Sequence, residues 1–131
     1  NMIAQPPDIL PTIADLAQVE LDPPEPLHGM SFAHQLLGES KDDIREFAIS
    51  STHLRGLPEQ AVTPAIRDRD WEYVPHGPDG RRELFKIAED PYAENNVLDN
   101  NAEIADEMHN AILQELKRLS APEDALAVYE L

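Results

Sequence analysis

The residues with the most obvious catalytic potential lie at positions 50–53, where two serines and a threonine precede His53. A hydroxyl activated by an imidazole can act as a nucleophile, provided that the two groups meet in space and an acid orients the imidazole. Adjacency along the chain does not bring such groups together. We therefore interpret this stretch as the end of a strand followed by a loop, and not as a catalytic pair.

Two aspartates, Asp68 and Asp70, flank Arg69 in the sequence Arg-Asp-Arg-Asp. Paired carboxylates can bind a cation or share a proton, and alternate residues of a strand point to the same face. The interleaved arginines neutralise these carboxylates more simply. We therefore expect ion pairs here, and no metal site.

The remaining candidate groups show no pattern of a metal or phosphate site. The five histidines stand at no metal-ligand spacing and are expected on the surface or in loops. The absence of cysteine excludes disulfides, thiolate metal sites and a cysteine nucleophile within these residues. Residues 77–80, Gly-Pro-Asp-Gly, are not followed by the helix start with Lys and Ser or Thr that a phosphate loop needs. The residues themselves thus predict no catalytic constellation and no cofactor in this chain.

The charge of the chain is strongly acidic, with 26 acids against 10 bases and a net charge of −16. Residues 45–86 are neutral, with seven bases and seven acids, so the two flanking regions carry the whole excess. Binding to a phosphate backbone requires clustered Lys and Arg. We therefore expect neither nucleic acid nor an anionic membrane surface as a partner, and interpret the acidic flanks as solvated surface.

Three stretches have the composition of strands that must position these groups. Residues 45–52, 65–74 and 82–87 are rich in β-branched and aromatic residues between charged ones. The Pro-Asp-Gly turn chemistry of residues 77–80 predicts a hairpin between the last two stretches. An isolated hairpin is only marginally stable in water, so other elements are expected to cover it.

Helical periodicity marks both ends of the chain. Near the start, Ile9, Ile13 and Leu16 share one face of a predicted helix over residues 8–18. A shorter helix is expected to begin after Ser31 as N-cap and to stop at Gly38.

The longest and clearest helix is predicted over residues 102–119. Apolar residues recur there at spacings of three and four, and Asn100 with Glu103 has the spacing of a capping box. The elements together predict an α+β fold, with a small antiparallel sheet of three to four strands, the long C-terminal helix on one face and short N-terminal helices. At this length, residues 1–131 are expected to form a single domain.

Five segments, taken in order, resemble the C-terminal part of the type I sulfatases, in the alkaline-phosphatase superfamily. They are residues 8–17 (DILPTIADLA), 27–39 (LHGMSFAHQLLGE), 65–74 (AIRDRDWEYV), 83–100 (ELFKIAEDPYAENNVLDN) and the closing helix around 103–116. The fourth is the most specific, since Asp90, Pro91 and Asn96 fall in register with the family's D-P-x-E-x-x-N pattern, and Glu94 lies one position after its glutamate. Gln18 stands where a glycine is usual, and Asp68 where a threonine is usual.

The resemblance implies a large α/β domain that carries the chemistry and a smaller C-terminal subdomain with a four-stranded antiparallel sheet and a long helix. The family's nucleophile is a formylglycine made from a C/S-x-P-x-R motif, assisted by calcium in the large domain. This chain has no such motif, so no catalytic residue and no metal ligand can be assigned to it. Calcium is expected only in the parent protein.

The family's C-terminal subdomain packs on the large domain and helps to shape the substrate pocket. By that resemblance, His53 and Arg55, in the loop after the first strand, are the candidate substrate-binding residues. Arg67 is expected to anchor the sheet by ion pairs and not to bind sulfate.

We therefore expect a fragment of a sulfatase-family protein, cut inside a longer chain before Asn1, with a structural and substrate-shaping role and no activity alone. Its partner would be the missing N-terminal catalytic domain. An exposed apolar face should mark where that domain packed, and a homodimer could form to cover it. The alternatives are a fragment of a phosphoesterase or phosphonate hydrolase of the same superfamily, and a stand-alone acidic interaction module.

Overall fold

The computed structural model describes residues 2–23, 27–51, 64–76, 81–127 and 129. The chain falls into two compact units, Asn1–Ala48 (unit 1) and Ile49–Leu131 (unit 2). The single domain over residues 1–131 stays a prediction, and the two units are described separately below.

Unit 1 begins with a 3₁₀ helix, Pro6–Asp8, which leads directly into helix α1, Ile9–Ala17. Helix α1 confirms the helix predicted from the apolar spacing. It ends at Gln18, whose φ of 55° places it in the left-handed region while its N–H still bonds back into the helix. Glycine suits that conformation best, because it has no Cβ to clash.

Helix α2 is short, Ala33–Leu36, and it begins later than predicted. The N-cap position is occupied by Phe32, so the prediction of Ser31 as N-cap was wrong. The Ser31 hydroxyl accepts a hydrogen bond from the Ala33 N–H at 3.2 Å, and this local bond forms a turn that delays the helix. The predicted stop at Gly38 is confirmed, since its φ is 76°.

The described residues form a sheet of four strands, β1 Ala48–Ser51, β2 Pro64–Arg67, β3 Glu72–Val74 and β4 Glu83–Phe85, in the order β1-β2-β3-β4. Strand β3 pairs antiparallel with both β2 and β4, with Tyr73 opposite Ile66 on one side and Leu84 on the other.

The interpretation of residues 65–74 as one strand was wrong, because this stretch is a hairpin of β2 and β3. Asp68 accepts hydrogen bonds from the N–H groups of Asp70, at 2.7 Å, and Trp71, at 2.6 Å. The Asp68 N–H in turn bonds to the Trp71 carbonyl at 3.0 Å. An aspartate that bonds the backbone two and three residues ahead stabilises a tight turn, so the chain reverses where continuous extension was expected. The predicted turn at residues 77–80 lies outside the described residues.

Helix α3, Ala102–Arg118, confirms the long helix and lies against β2 and β3. Its N-cap is Asn101, without a side-chain cap, so the capping box at Asn100 was wrong. Leu98–Asn100 forms a 3₁₀ helix, which places Asn100 before the cap. A short helix α4, Glu123–Ala127, follows α3.

The core of unit 2 lies between the sheet and α3. Helix α3 contributes Ala105, Met108 and Ile112, which are at most 3% exposed. The sheet contributes three side chains with no exposed surface, Ile66, Tyr73 and Leu84. These side chains share the covered face of the sheet, and the α+β fold class is confirmed.

Candidate functional site

The two candidate substrate-binding residues, His53 and Arg55, lie outside the described residues. So does Thr52 of the hydroxyl–imidazole stretch, whereas Ser50 and Ser51 belong to β1. Their role in substrate binding is therefore taken up below as a proposal.

Among the described residues, no three His, Asp or Glu side chains come together in a group that could hold a metal ion. In the same ranges, no helix has both the length and the apolarity needed to cross a membrane. Asp68 serves the turn between β2 and β3, as described above. Arg67 pairs across these strands with Glu72, at 3.6 Å, as expected for an arginine that anchors the sheet.

His109 is not on the surface, contrary to expectation. His109 is only 3% exposed on the inner face of α3, whereas His34 is exposed and pairs with Glu39 at 2.7 Å. The apolar spacing of α3 places position 109 beside Met108 at the covered face. Burial is possible because both ring nitrogens of His109 have partners.

The partners of His109 define the direction of its hydrogen bonds. Its Nε2 lies 2.6 Å from the Tyr129 carbonyl oxygen, which can only accept, so Nε2 carries a proton. Its Nδ1 lies 2.9 Å from the Tyr73 hydroxyl, which donates to it when the ring is neutral. Arg82 Nε donates to the same hydroxyl oxygen at 2.8 Å, and Arg82 Nη2 bonds Asp106 at 2.5 Å.

Burial raises the pKa of the Tyr73 phenol above its ordinary value, while the hydrogen bond from Arg82 acts in the opposite direction. Burial also raises the pKa of the Tyr129 phenol. The phenol and imidazole of the network are buried, and their described hydrogen bonds are made within unit 2. This arrangement ties β3, α3 and the end of the chain together, and we interpret it as structural.

The most specific motif of the sequence, residues 83–100, also has a structural explanation. Asp90 accepts the Asn95 N–H at 2.8 Å, and this bond, the largest cause, lowers the pKa of the Asp90 carboxyl, while desolvation acts in the opposite direction. The Asn96 side-chain oxygen accepts the N–H groups of Leu84, at 3.1 Å, and Leu98, at 3.0 Å. These bonds fold the loop after β4 and fasten it to that strand.

A cavity of about 390 Å³ opens beside this loop. Lys86 lies over the Trp71 ring at 5.9 Å and also pairs with Glu89 at 2.6 Å. The residues that line the cavity are Trp71, Lys86, Glu89, Asp90, Asn95, Val97 and Asn101. The Lys86 ammonium and the Asp90 carboxylate already serve contacts within the loop, so the cavity presents no evident ligand-binding group from either residue.

In unit 1, a buried carboxylate holds α1 in place. Asp8 has no exposed surface; it accepts the N–H groups of Gln5, at 2.7 Å, and Met30, at 2.8 Å, and it pairs with Arg45. Thr12 extends the connection, since its hydroxyl donates to the Asp8 carbonyl at 2.6 Å and accepts the Phe32 N–H at 3.1 Å. The side of α1 that packs against the rest of unit 1 is thus held largely by polar contacts.

The opposite side of α1 carries the feature most indicative of function. Ile9, Leu10, Ile13 and Leu16 are 53%, 53%, 58% and 45% exposed, although they are the largest apolar side chains of the helix. Ile9, Ile13 and Leu16 recur at spacings of four and three and therefore form one face. We call these four residues the α1 face. An exposed apolar face of this kind is typical of an interaction surface.

The chain is similar to known proteins at the level of three-dimensional structure. No protein-family model matches the chain, and no curated protein matches it in sequence. Solved structures do match. A 2-O GAG sulfatase is 25% identical with a TM-score of 0.70, and the match covers 87% of this chain but 25% of that one. A presumed sulfatase from Bacteroides thetaiotaomicron is 26% identical with a TM-score of 0.68, covering 85% of this chain and 24% of that one.

This chain is similar to part of a sulfatase. The resemblance expected from the sequence is therefore confirmed. A third match is a phosphonate monoester hydrolase of Agrobacterium radiobacter, 25% identical with a TM-score of 0.59, covering 87% of this chain and 24% of that one. The sulfatase-like chain thus spans about a quarter of the length of these solved structures.

Proposed function

We propose that this chain is the C-terminal, non-catalytic subdomain of a sulfuric ester hydrolase. The observation that carries the proposal is the similarity to sulfatases over 85–87% of this chain but only 24–25% of theirs. The order of the five sequence segments supports a C-terminal position, because these segments resemble the C-terminal part of the family.

The division of labour follows from what the chain contains. It has no cysteine and no C/S-x-P-x-R motif, so the formylglycine nucleophile would come from the preceding polypeptide. Calcium, which would stabilise charge on the sulfuryl oxygens, would be held there too. The sulfatase-like chain would complete the fold and shape the pocket through His53 and Arg55. An arginine is suited to that role because its planar fork of N–H donors matches an oxyanion.

The first test is the coding sequence before Asn1, followed by an activity assay. We expect a C/S-x-P-x-R motif upstream and hydrolysis of an aryl sulfate by the full-length protein. The chain of residues 1–131 alone should show no hydrolysis. An initiator codon directly before Asn1 would overturn the proposal and leave an acidic interaction module.

The second test addresses the two proposed pocket residues. In the full-length enzyme, we expect His53→Ala and Arg55→Ala each to raise KM by about tenfold, the loss of one charged or polar contact. Arg118→Ala is the matched control, because Arg118 pairs with Glu115 at 2.5 Å on the surface of α3. Unchanged kinetics in both pocket variants would remove the substrate-shaping role and leave a structural one.

The second candidate parent is a phosphonate monoester hydrolase, favoured by the match to the enzyme from Agrobacterium radiobacter. A higher kcat/KM of the full-length protein for an aryl phosphonate monoester than for the matching aryl sulfate would select this second candidate.

A further inference from the structure

We propose that His109 makes the packing of the α4 segment sensitive to acid, so that this segment opens when His109 takes up a proton. The α4 segment is helix α4, Glu123–Ala127, together with Tyr129. It packs on α3, and its Tyr129 carbonyl lies against the buried His109 ring. All the residues involved belong to unit 2, and none of them is a residue of the proposed substrate pocket.

The hydrogen bonds around His109 are complete when the imidazole is neutral. Its Nε2 donates to the Tyr129 carbonyl at 2.6 Å, and its Nδ1 accepts the Tyr73 hydroxyl at 2.9 Å. The same hydroxyl oxygen accepts Arg82 Nε at 2.8 Å. Among the described residues, the Tyr73 proton thus has Nδ1 as its acceptor, and Tyr73 has no exposed surface at which water could replace it.

A proton on Nδ1 removes that acceptor. The ring then presents an N–H to the Tyr73 oxygen, and the phenol hydrogen is left without a partner in the interior. The charged ring also lies next to the Arg82 guanidinium, which bonds the same oxygen. Asp106 carries the opposing charge, but it is already paired with Arg82 at 2.5 Å. Water is therefore a better environment than the closed interior for a charged imidazole.

The His109 ring can reach water by displacing the α4 segment. Its Nδ1 side faces the fully buried Tyr73 of the sheet, whereas its Nε2 side faces the Tyr129 carbonyl. The Tyr129 ring also contacts His76, with the ring centroids 5.8 Å apart, so acid can add a charge at a second contact of the segment. A short peripheral element such as α4 opens locally more readily than the strands of a sheet.

The direction of the pH dependence follows from this opening. The closed form holds His109 neutral, and the open form lets it take up a proton, so a falling pH favours the open form. Histidine side chains ordinarily titrate near pH about 6.5. One proton taken up on opening changes the equilibrium by at most about tenfold per pH unit.

Hydrogen exchange of the full-length protein at pH about 7.5 and about 5.5, corrected for the intrinsic exchange rates, tests the proposal. We expect amide protection of residues 123–129 to fall by about 10- to 100-fold at the lower pH, while protection of β3 changes by less than about threefold. Equal protection of the α4 segment at both pH values would overturn the proposal. An equal loss in β3 would also overturn it, because unit 2 would then open as a whole.

His109→Gln identifies the group that responds. Glutamine keeps an N–H donor for the Tyr129 carbonyl but takes up no proton, so the pH dependence of the α4 segment should disappear. His34→Gln is the matched control, since His34 is an exposed histidine paired with Glu39, and it should keep the full response. A response kept in His109→Gln but lost in His76→Gln would assign it to His76 and contradict the proposal.

A measurement on the unaltered protein covers the case in which His109→Gln loosens unit 2 at neutral pH. Nitrogen NMR of labelled histidine side chains distinguishes the neutral Nε2–H ring from the charged ring. The His109 ring should be neutral at pH about 7.5 and should gain its second proton over the pH range in which protection falls. A ring that stays neutral down to pH about 5.5, or one that becomes charged while the α4 segment stays protected, would overturn the proposal.

Discussion

Helices α1 and α3 have the same kind of apolar spacing but opposite surroundings. In α3, the apolar stripe faces the sheet, and Ala105 and Ile112 have no exposed surface. In α1, Ile9 and Ile13 are more than half exposed, and the covered side is polar or small. Each helix was predicted from periodicity alone, and both were confirmed.

The contrast shows what periodicity can and cannot indicate. A repeat of apolar residues at three and four predicts a helix with a face to bury. It does not say which element buries that face. For α3 the covering element is the sheet of unit 2, whereas the described residues of unit 1 leave the α1 face about half exposed. Four predictions test this difference, from the largest expected effect to the smallest.

Asp8→Ala should disrupt the polar attachment of α1. The substitution removes the acceptor for the Gln5 and Met30 N–H groups and leaves Arg45 without its carboxylate partner. Loss of one member of a buried ion pair costs about 3–5 kcal/mol. Hydrogen exchange of the α1 amides should therefore become faster. Asp15→Ala, at an exposed position of the same helix, is the control, and equal exchange in both variants would contradict the polar anchor.

Ile112→Ala should destabilise unit 2 through its apolar core. Ile112 has no exposed surface, and truncation of such a side chain costs about 2–5 kcal/mol because a cavity remains. Unfolding by denaturant can be followed through Trp71, the single tryptophan of the chain. Leu119→Ala, at a position 36% exposed just after the same helix, should cost less. A smaller loss for Ile112→Ala than for Leu119→Ala would refute the assignment of the core.

Alkaline pH should weaken unit 2 through the Tyr73 network. Burial raises the pKa of Tyr73 in the folded state, so the folded chain holds the phenol proton more tightly than the unfolded chain does. The resulting stability is present below the unfolded pKa of about 10 and is lost as the pH rises through the folded pKa. Denaturation midpoints should therefore fall above pH of about 10.

Tyr73→Phe should reduce this alkaline loss, while costing about 1–2 kcal/mol at neutral pH through the hydrogen bonds to His109 and Arg82. Tyr92→Phe serves as the control, because Tyr92 is 83% exposed. If Tyr92→Phe changed the alkaline limb as much as Tyr73→Phe did, the pH dependence would not come from the buried network.

The smallest effect is expected at the α1 face. In the chain of residues 1–131, Ile13→Ser should change the free energy of unfolding by no more than about 0.5 kcal/mol, because Ile13 is 58% exposed. The check is a denaturation curve of unit 1 monitored by hydrogen exchange. A loss above about 2 kcal/mol would mean that this side chain is already buried in the chain of residues 1–131. The proposed difference in burial between the apolar faces of α1 and α3 would then be wrong.

The sequence predicted element types well where the pattern was long, and less well where a turn was short. The period of residues 102–119 identified α3 almost to the residue. In contrast, Asp68 was read as a strand residue, although its side chain makes a tight turn between β2 and β3. Two hydrogen bonds decided that reversal, and alternation of residue types cannot reveal them. His109 was likewise placed at the surface, because its two partners lie 36 and 20 residues away in the chain.

By itself, the sequence determined the fold class, the principal helices and the resemblance to sulfatases, because these depend on local spacing and on motifs within short segments. Only the tertiary structure decided which faces are covered. The burial of Asp8 and His109 depends on partners brought together by folding. The exposure of Ile13 follows from the packing of α1 in unit 1 through its other side. Burial depends on contacts between distant segments, so the apolar pattern of one helix predicts that a face is to be buried but does not identify the element that packs against it.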